Sequence, residues 1–256
     1  MSHSSQNPVE AYENRSRVRL EECHLEEVPF AVPDLKRERR KGAPEIVLCD
    51  TKSVEQALAI AAALLERTGR AILSRVPEEL HTALCRIYGM EGFRWYSASR
   101  MAVLRKGPPV EATGGRVGIL TAGTSDQPVA EEAAVICQEL GCEVKLFYDV
   151  GVAGLHRLFG PLRELIEEAD VDVIIVAAGM DGALPSVVSG LVDIPVIGLP
   201  TSVGYGYGGK GEAALMSMLQ TCSPGLAVVN IDNGIGAGIM AALIANRVAA
   251  ARRGEK

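Results

Sequence analysis

Residues 195–211 read PVIGLPTSVGYGYGGKG, a short apolar run followed by a loop in which five glycines lie between Gly204 and Gly211. A run with helical character, Glu212 to Gln220, comes next. Strand, glycine loop and helix in this order are typical of open α/β sheets that hold phosphorylated ligands. Glycine accepts positive φ and lets the backbone approach a ligand closely, so the loop is a candidate binding site.

The second half of the chain repeats this alternation of strands and helices. Predicted strands are Val117–Thr121, Glu143–Tyr148, Asp172–Ala177, Pro195–Pro200 and Leu226–Ile231, and predicted helices are Val129–Leu140, Leu158–Glu168, Leu184–Leu191, Glu212–Gln220 and Ile235–Arg252. Apolar strands separated by helices indicate a parallel sheet that helices cover on both faces. The predicted fold class is therefore α/β, with a doubly wound parallel sheet in residues 116–256.

The first half predicts a smaller α/β unit in residues 31–105. Its predicted strands are Ile46–Cys49, Arg70–Val76 and Met101–Leu104, and its predicted helices are Val54–Glu66 and Glu78–Ile87. Residues 1–30 are expected to be a tail with a surface helix within 9–27. Residues 106–115 are rich in glycine and proline, which is typical of a linker, and the predicted domain boundary lies there.

Composition excludes several classes of protein. The chain has 256 residues, a net charge of −6 and a pI of about 5.4, which argues against a general nucleic-acid binder. The sequence lacks a signal-peptide core and a long uninterrupted apolar run, so we expect no membrane span. The six cysteines form no C-x-x-C pair, and Cys49, Cys85 and Cys137 lie in apolar runs that predict core positions. A reduced, cytoplasmic protein is expected.

Five loops leave the carboxyl ends of the predicted strands, and these loops should converge on one crevice. The first contains Gly123, Thr124, Ser125 and Asp126 before Pro128. It is either a helix cap or a cradle for phosphate or ribose at a helix N-terminus. The second loop contains His156 and Arg157. These side chains are either ordinary surface groups, or a proton carrier and a phosphate ligand.

The other three loops are equally polar. In the third, Asp181 either caps the next helix or faces the ligand as a base or metal ligand. The fourth is the glycine loop, whose spacing resembles a Walker motif. Gly211 stands where that motif requires Ser or Thr, so a P-loop is disfavoured. The fifth contains Asp232 and Asn233, which cap the last helix or contact ligand. The candidate substrate-binding residues in these three loops are Gly179, Met180, Gly182, Ser202, Val203, Gly204, Tyr205, Gly208, Lys210, Asp232 and Asn233.

Cys222 follows the helix that begins after the glycine loop. It is either a buried thiol at a helix end or a nucleophile. A helix C-terminus does not lower a thiol pKa, so a nucleophilic Cys222 would need a cationic neighbour such as Lys210 or a cationic substrate. Beyond it, the small residues of the helix Ile235–Arg252 predict tight packing, which we expect to be against another subunit.

Taken together, the loop motifs resemble those of the PurE family of aminoimidazole ribonucleotide carboxylases and mutases. The resemblance spans Gly115 to Arg252 and rests on residues 123–128, His156-Arg157, residues 179–185 and residues 195–211. It implies a flavodoxin-like sheet, carboxylation without biotin and an octamer. One departure is that PurE enzymes usually place a histidine in the loop that here spans residues 179–185, where none is present.

Over almost the whole chain, the sequence looks like the LarB family. The shared motifs are AGMDGALPS at 178–186, PTSVGYG at 200–206, Cys222, VNIDNG at 229–234 and RRKGAPE at 39–45. The resemblance implies carboxylation of the pyridinium ring of nicotinic acid adenine dinucleotide, and cleavage of its phosphoanhydride to give a pyridinium biscarboxylic acid mononucleotide and AMP. CO₂ or bicarbonate would be the co-substrate.

The implied chemistry assigns roles to three residues. Cys222 would add to C4 of the pyridinium, whose own positive charge favours the thiolate. Asp181 or His156 would remove the C5 proton. Hydrolysis of the anhydride is expected to use Mg²⁺, held by diphosphate oxygens and a carboxylate such as Asp181. Two alternatives remain: an aminoimidazole ribonucleotide carboxylase or mutase indifferent to Cys222, and a non-catalytic nucleotide-binding assembly protein.

Overall fold

The computed structural model describes residues 30–254. The helix expected within 9–27 therefore lies outside the described residues. The N-terminal unit contains β1 (Ile46–Leu48), β2 (Arg70–Ser74), β3 (Phe93–Tyr96) and β4 (Met101–Arg105), with α1 (Arg37–Lys41), α2 (Val54–Thr68) and α3 (Glu78–Tyr88). Its sheet order is β1-β2-β4-β3, and only the β1–β2 pair is parallel.

The C-terminal unit contains β5 (Arg116–Thr121), β6 (Glu143–Phe147), β7 (Val173–Ala178), β8 (Val196–Pro200) and β9 (Leu226–Val228), with α4 (Gln127–Glu139), α5 (His156–Arg163), α6 (Ala183–Ser189), α7 (Glu212–Leu219) and α8 (Gly234–Arg252). All neighbouring strands are parallel, in the order β6-β5-β7-β8-β9. This is the flavodoxin-like order, so the predicted fold class is confirmed.

Two elements differ from the sequence-based expectation. Strand β3 was not predicted; it is short, contains the exposed Arg94 and pairs with β4 alone, so its periodicity is weak. Strand β9 ends at Val228, three residues before the predicted end at Ile231. Its only strand partner in the sheet is β8, and the last matched pair is Gly198 with Val228, so pairing stops where β8 approaches the proline that ends it.

The two faces of the N-terminal sheet belong to different cores. Ala71, Leu73, Ala102 and Leu104 point toward α2 and α3, whereas Ile72, Met101 and Val103 join the core formed with α4 and α8 of the second unit. Side chains alternate between the faces of a strand, so strands buried on both faces can connect two cores. The N-terminal unit is thus packed against the parallel sheet's helical layer.

Buried charges reinforce this contact between the units. The guanidinium of Arg70, which is 8% exposed, donates to the carbonyl oxygen of Glu139 and lies 3.2 Å from its carboxylate. Arg105 also pairs with Glu139, and Arg70 bonds Glu38 at 2.7 Å. These bonds orient helix α4, whose other end carries the first candidate loop.

The last helix, α8, packs inside its own chain. Its alanines Ala241, Ala242, Ala245 and Ala249 are buried, and Gly238 lies so close to Ala133 that a Cβ would be 2.7 Å from its carbonyl oxygen. The expectation that this small-residue face contacts another subunit is wrong, because α4 occupies it. Helix α8 is long and apolar enough to cross a membrane by length and composition, and its buried alanine face packs against α4 within the chain.

Candidate functional site

Three loops at the carboxyl ends of β5, β7 and β8 are held together around Asp126. The Thr201 hydroxyl donates to Asp126 Oδ1 over 2.6 Å, and the Gly123 amide donates to Oδ2 over 2.8 Å. Asp126 is 3% exposed, and its burial raises the pKa of the carboxyl group. Both carboxylate oxygens are bonded within the protein, so the geometry gives Asp126 a positioning role, while its predicted substrate contact stays a prediction.

The loop after β7 lies against the glycine loop through Gly179. The Met180 amide donates to the carbonyl oxygen of Val203 over 2.8 Å. A Cβ on Gly179 would be 2.2 Å from that same oxygen, so only glycine permits the contact. Beyond it, Asp181 is exposed and its Oδ1 lies 3.4 Å from the Ala183 amide, and Gly182 adopts a φ of +60° where α6 begins.

The loop after β9 also joins the group. Asp232 Oδ1 accepts a 2.8 Å bond from the Ser202 amide, and the Asp232 amide donates to the Pro200 carbonyl. Asn233 caps α8 by accepting a bond from the Gly236 amide over 2.8 Å. For Asn233 the capping alternative is confirmed, and Asp232 positions the start of the glycine loop.

The glycine loop itself points outward. Gly204, Tyr205 and Lys210 are exposed, with Tyr205 82% exposed, whereas Val203 and Gly208 are half-buried. Gly211 has a φ of +82°, and a Cβ added at this position would lie 2.8 Å from the Thr201 carbonyl oxygen. The two ends of the loop are therefore close together. The loop therefore leaves the sheet and returns to it beside Thr201, presenting its tip to solvent.

His156 and Arg157 lie at one side of this group, beyond edge strand β6. Arg157 pairs with Asp149 at 2.6 Å, and His156 is exposed. Their loop reaches the first loop at its base, where a Cβ on Gly151 would lie 2.5 Å from the Ala122 carbonyl oxygen. Thr124 and Ser125, at the start of α4, are also exposed. All four polar side chains are accessible to a ligand.

A cavity of about 360 Å³ opens between these loops and the N-terminal unit. The C-terminal unit contributes Ser125, Ser202, Val203 and Asp232, and the N-terminal unit contributes Asp50, Arg75, Ser99 and Arg100. Arg75 donates to the Asp232 carbonyl over 2.9 Å. Sequence reasoning missed the N-terminal residues, although Arg75 directly follows a buried strand, the same signal that marked the loops of the second unit.

A larger cavity of about 560 Å³ lies elsewhere, along β3 and the end of α4, and includes Arg94, Arg105 and Glu139. It contains none of the loops that follow the parallel strands. Ligands of doubly wound sheets bind at the carboxyl ends of the strands, so we assign the candidate site to the smaller cavity.

Cys222 lies at the opposite end of the sheet from these loops. Helix α7 starts beside the glycine loop at Gly211, and its eight residues carry the chain about 12 Å away before Cys222 is reached. Gly225, three residues later, accepts a bond from Val196, the first residue of β8. Cys222 is exposed, so the buried alternative is wrong, and within one chain it is not beside Lys210 or the loops.

Three of the other described cysteines are poor nucleophiles. Cys49, Cys137 and Cys142 are buried, and burial raises the pKa of Cys49 to about 12 and that of Cys142 to about 11. Burial also raises the pKa of Cys137 well above the ordinary value. Cys85 is half-buried against the N-terminal core. These positions confirm the prediction that Cys49 and Cys137 are core residues.

The described side chains do not build a three-residue metal cluster. Within residues 30–254, no group of three His, Cys, Asp or Glu side chains is placed to hold a metal ion. Asp181, the expected metal ligand, is exposed on its loop. We therefore derive no catalytic step through magnesium bound by this chain's residues.

Comparison with known proteins agrees with the geometry. Residues 116–255 match the family model for AIR (aminoimidazole ribonucleotide) carboxylase, so the chain belongs to the AIR carboxylase family. Residues 25–106 match the LarB/PurE-like N-terminal domain, so within this family the chain has the two-part organisation of LarB.

Individual relatives match either most of this chain or about half of it. An uncharacterized protein of Methanocaldococcus jannaschii is 45% identical and covers 83% of this chain and 82% of its own. The N5-carboxyaminoimidazole ribonucleotide mutase of Thermotoga maritima is 36% identical over 50% of this chain and 74% of its own. The crystal structure of Treponema denticola PurE aligns with 25% identity and a TM-score of 0.41, over 52% of this chain and 78% of that one. The two family models and the mutase relative show that the chain is a PurE-family enzyme of carboxylase type.

Proposed function

We propose that this enzyme carboxylates the pyridinium ring of nicotinic acid adenine dinucleotide and hydrolyses the phosphoanhydride, releasing AMP and pyridinium-3,5-biscarboxylic acid mononucleotide. The observation that carries the proposal is the cavity shared by the two units, because it faces the PurE-like loops with a wall from the LarB/PurE-like domain. A site with two walls suits a dinucleotide better than a mononucleotide. The LarB/PurE-like N-terminal domain, followed by an AIR carboxylase domain, supports LarB chemistry.

The carbon–carbon bond forms without any redox cofactor or biotin. The thiolate of Cys222 adds to C4, and the ring electrons move to N1 to give a neutral dihydropyridine. Its nucleophilic C5 attacks CO₂, a base removes the C5 proton, and departure of the thiolate restores the aromatic pyridinium. Covalent catalysis divides a difficult step into easier ones. Asp181, in the loop after β7, and His156, the first residue of α5, are both exposed and are the proposed bases.

Phosphoanhydride hydrolysis then adds water across the diphosphate and releases AMP. We propose that Mg²⁺ would be held chiefly by the substrate's phosphate oxygens, where it would neutralise charge on the diphosphate. Chelation by EDTA should then stop AMP release but leave dinucleotide binding measurable. Full AMP release in EDTA would contradict the role of magnesium.

The position of Cys222 supports a contribution from a second copy of the chain. Helix α7 separates this thiol from the loops of its own chain, so we propose that a neighbouring subunit supplies it. The exposed side chains around it support an interface there: Leu191 is 50% exposed, and Met216 and Leu219 are each 66% exposed. The homo-octamer expected from the PurE resemblance would bury such a surface.

Incubation with nicotinic acid adenine dinucleotide and ¹³C-bicarbonate tests the function. We expect AMP and a product mononucleotide that is one mass unit heavier than the product from ordinary bicarbonate. Cys222→Ser should give no labelled product while still binding the dinucleotide. Labelled product from aminoimidazole ribonucleotide instead, unaffected by Cys222→Ser, would establish the mutase alternative. Binding without turnover of either substrate would favour the assembly protein.

A further inference from the structure

Two arginines of the N-terminal unit enter the cavity from strained backbone positions. Arg75 follows β2 with a φ of +53°, and Arg100 precedes β4 with a φ of +52°. The left-handed region is unfavourable for a residue with a Cβ, and such strain clusters at functional sites. The Val76 amide donates to the Arg100 carbonyl over 2.9 Å, so the two turns hold each other in place.

A buried hydroxyl beside them has no partner. Ser99 lines the cavity and is 7% exposed, yet its Oγ makes no hydrogen bond within residues 30–254. Its amide is occupied, donating to Glu131 over 2.7 Å. A buried hydroxyl without a protein partner is costly unless another group bonds it, so the Ser99 hydroxyl is available to bond a ligand atom.

Among the described residues that line the cavity, one cation is available to a ligand. Arg75 lies 3.5 Å from Asp50, Asp232 accepts from the Ser202 amide, and Glu132 accepts from the Ser74 hydroxyl. The three carboxylates lining the cavity therefore have partners in the protein. The guanidinium of Arg100 is exposed and makes no ion pair or hydrogen bond with another part of the described chain.

The opposite wall also favours an anion. Ser125 lies two residues before α4, a helix of 13 residues, and Ser202 lies at the start of the glycine loop. Helix N-termini carry a partial positive charge and exposed amide donors. An anion between the walls would meet the Arg100 guanidinium and the Ser99 hydroxyl on one side and the Ser125 hydroxyl on the other.

We propose that Arg100, Arg75 and Ser99 form a phosphate subsite that binds the adenylate half of the dinucleotide. Arg100 and Ser99 contact its phosphate, and Arg75 positions Asp232 and the start of the glycine loop. The N-terminal unit thus extends a mononucleotide site into a dinucleotide site. This assignment rests on the proposed function for the identity of the dinucleotide, but the subsite's preference for a diphosphate can be tested without turnover.

Isothermal titration with ADP, which carries a diphosphate and adenosine but no pyridinium, tests the subsite. Arg100→Ala should weaken ADP binding about tenfold, the loss expected for a hydrogen bond to a charged group. Ser99→Ala should weaken it several-fold without lowering the melting temperature, because Oγ has no protein partner. Arg86→Ala and Ser97→Ala, which change exposed residues outside the cavity lining, should leave ADP binding unchanged.

Nicotinic acid mononucleotide separates the two halves of the substrate. Its affinity should be the same in Arg100→Ala as in the unaltered protein. Three results would each overturn the proposed subsite. These are an equal loss of affinity for both ligands in Arg100→Ala, unchanged ADP binding in Arg100→Ala, and no ADP binding by the unaltered protein. Failure to release AMP from the dinucleotide, with ADP binding still dependent on Arg100, would overturn the proposed function and leave the subsite standing.

Discussion

The hydroxyl of Thr201 donates a 2.6 Å hydrogen bond to the buried carboxylate of Asp126, a residue 75 positions earlier in the chain. This bond joins the loops that follow β5 and β8. Gly179, directly after β7, can lie against the glycine loop because it has no side chain. The loops are therefore positioned by contacts that extend across the sheet.

Thr201→Val should destabilise the protein and disorder the site. Valine keeps the shape of threonine but leaves a buried carboxylate oxygen without its donor, at a cost of about 1–3 kcal/mol. Chemical denaturation should show this loss, and dinucleotide binding should weaken with it. Thr201→Ser keeps the hydroxyl and should retain most of the stability and binding. Equal behaviour of the two variants would contradict the role of the bond.

Glu139→Gln should loosen the contact between the two units. Arg70 and Arg105 both pair with Glu139, so loss of the carboxylate leaves the buried Arg70 with Glu38 alone and takes away the carboxylate that Arg105 pairs with, at a cost of about 3 kcal/mol. The matched control is Glu66→Gln at the exposed Lys106 pair, which should change stability little. Similar melting temperatures for the two variants would show that the buried pair contributes no more to stability than the exposed pair.

Glu132→Gln should stabilise the protein near neutral pH. Burial raises the pKa of Glu132, whose carboxylate accepts a bond from Ser74. Because the folded-state pKa is raised, the stabilising contribution of the protonated group is present below the unfolded pKa of about 4.3 and is lost as pH rises through the folded pKa.

The stability advantage of Glu132→Gln should therefore shrink as the pH falls from 8 to 4. Melting temperatures of both proteins across this range provide the measurement. An advantage that grows toward acid pH would show that the carboxylate is stabilised as an anion in the folded state.

Cys222 should react with iodoacetamide before the other described cysteines. It is exposed, whereas Cys49 and Cys142 are buried with raised pKa values of about 12 and 11. Peptide mapping by mass spectrometry after brief labelling at pH 8 would rank the sites. Earlier labelling of Cys49 or Cys142 in the folded protein would contradict the burial of those thiols.

Mixing two inactive variants tests whether Cys222 acts across a subunit interface. Cys222→Ser removes the thiol, and Ser125→Glu places a negative charge where the ligand phosphate is expected. If a neighbour supplies the thiol, a randomly mixed oligomer should regain about a quarter of the activity. If each subunit used its own thiol, no mixed site would be complete, and activity would stay absent.

Sequence reasoning was most successful where local pattern decides structure. Apolar runs such as Val173–Ala178 are buried on both faces, and their alternation with helices was enough to predict a doubly wound parallel sheet. The glycine-rich and polar loops likewise follow the strands as predicted, whereas their contacts with a substrate stay a prediction. Strand β3 and the end of β9 were missed because pairing with a single neighbour, rather than residue pattern, sets their bounds.

By itself the sequence determined the parallel sheet, the strand-end loops and the family resemblance, because these depend on the order and periodicity of residues near one another in the chain. Only the tertiary structure decided that Arg75, Ser99 and Arg100 share a cavity with Ser125, and that Cys222 lies across the sheet from the loops of its own chain. Such placements arise from packing between distant segments, and short-range patterns contain no measure of those distances.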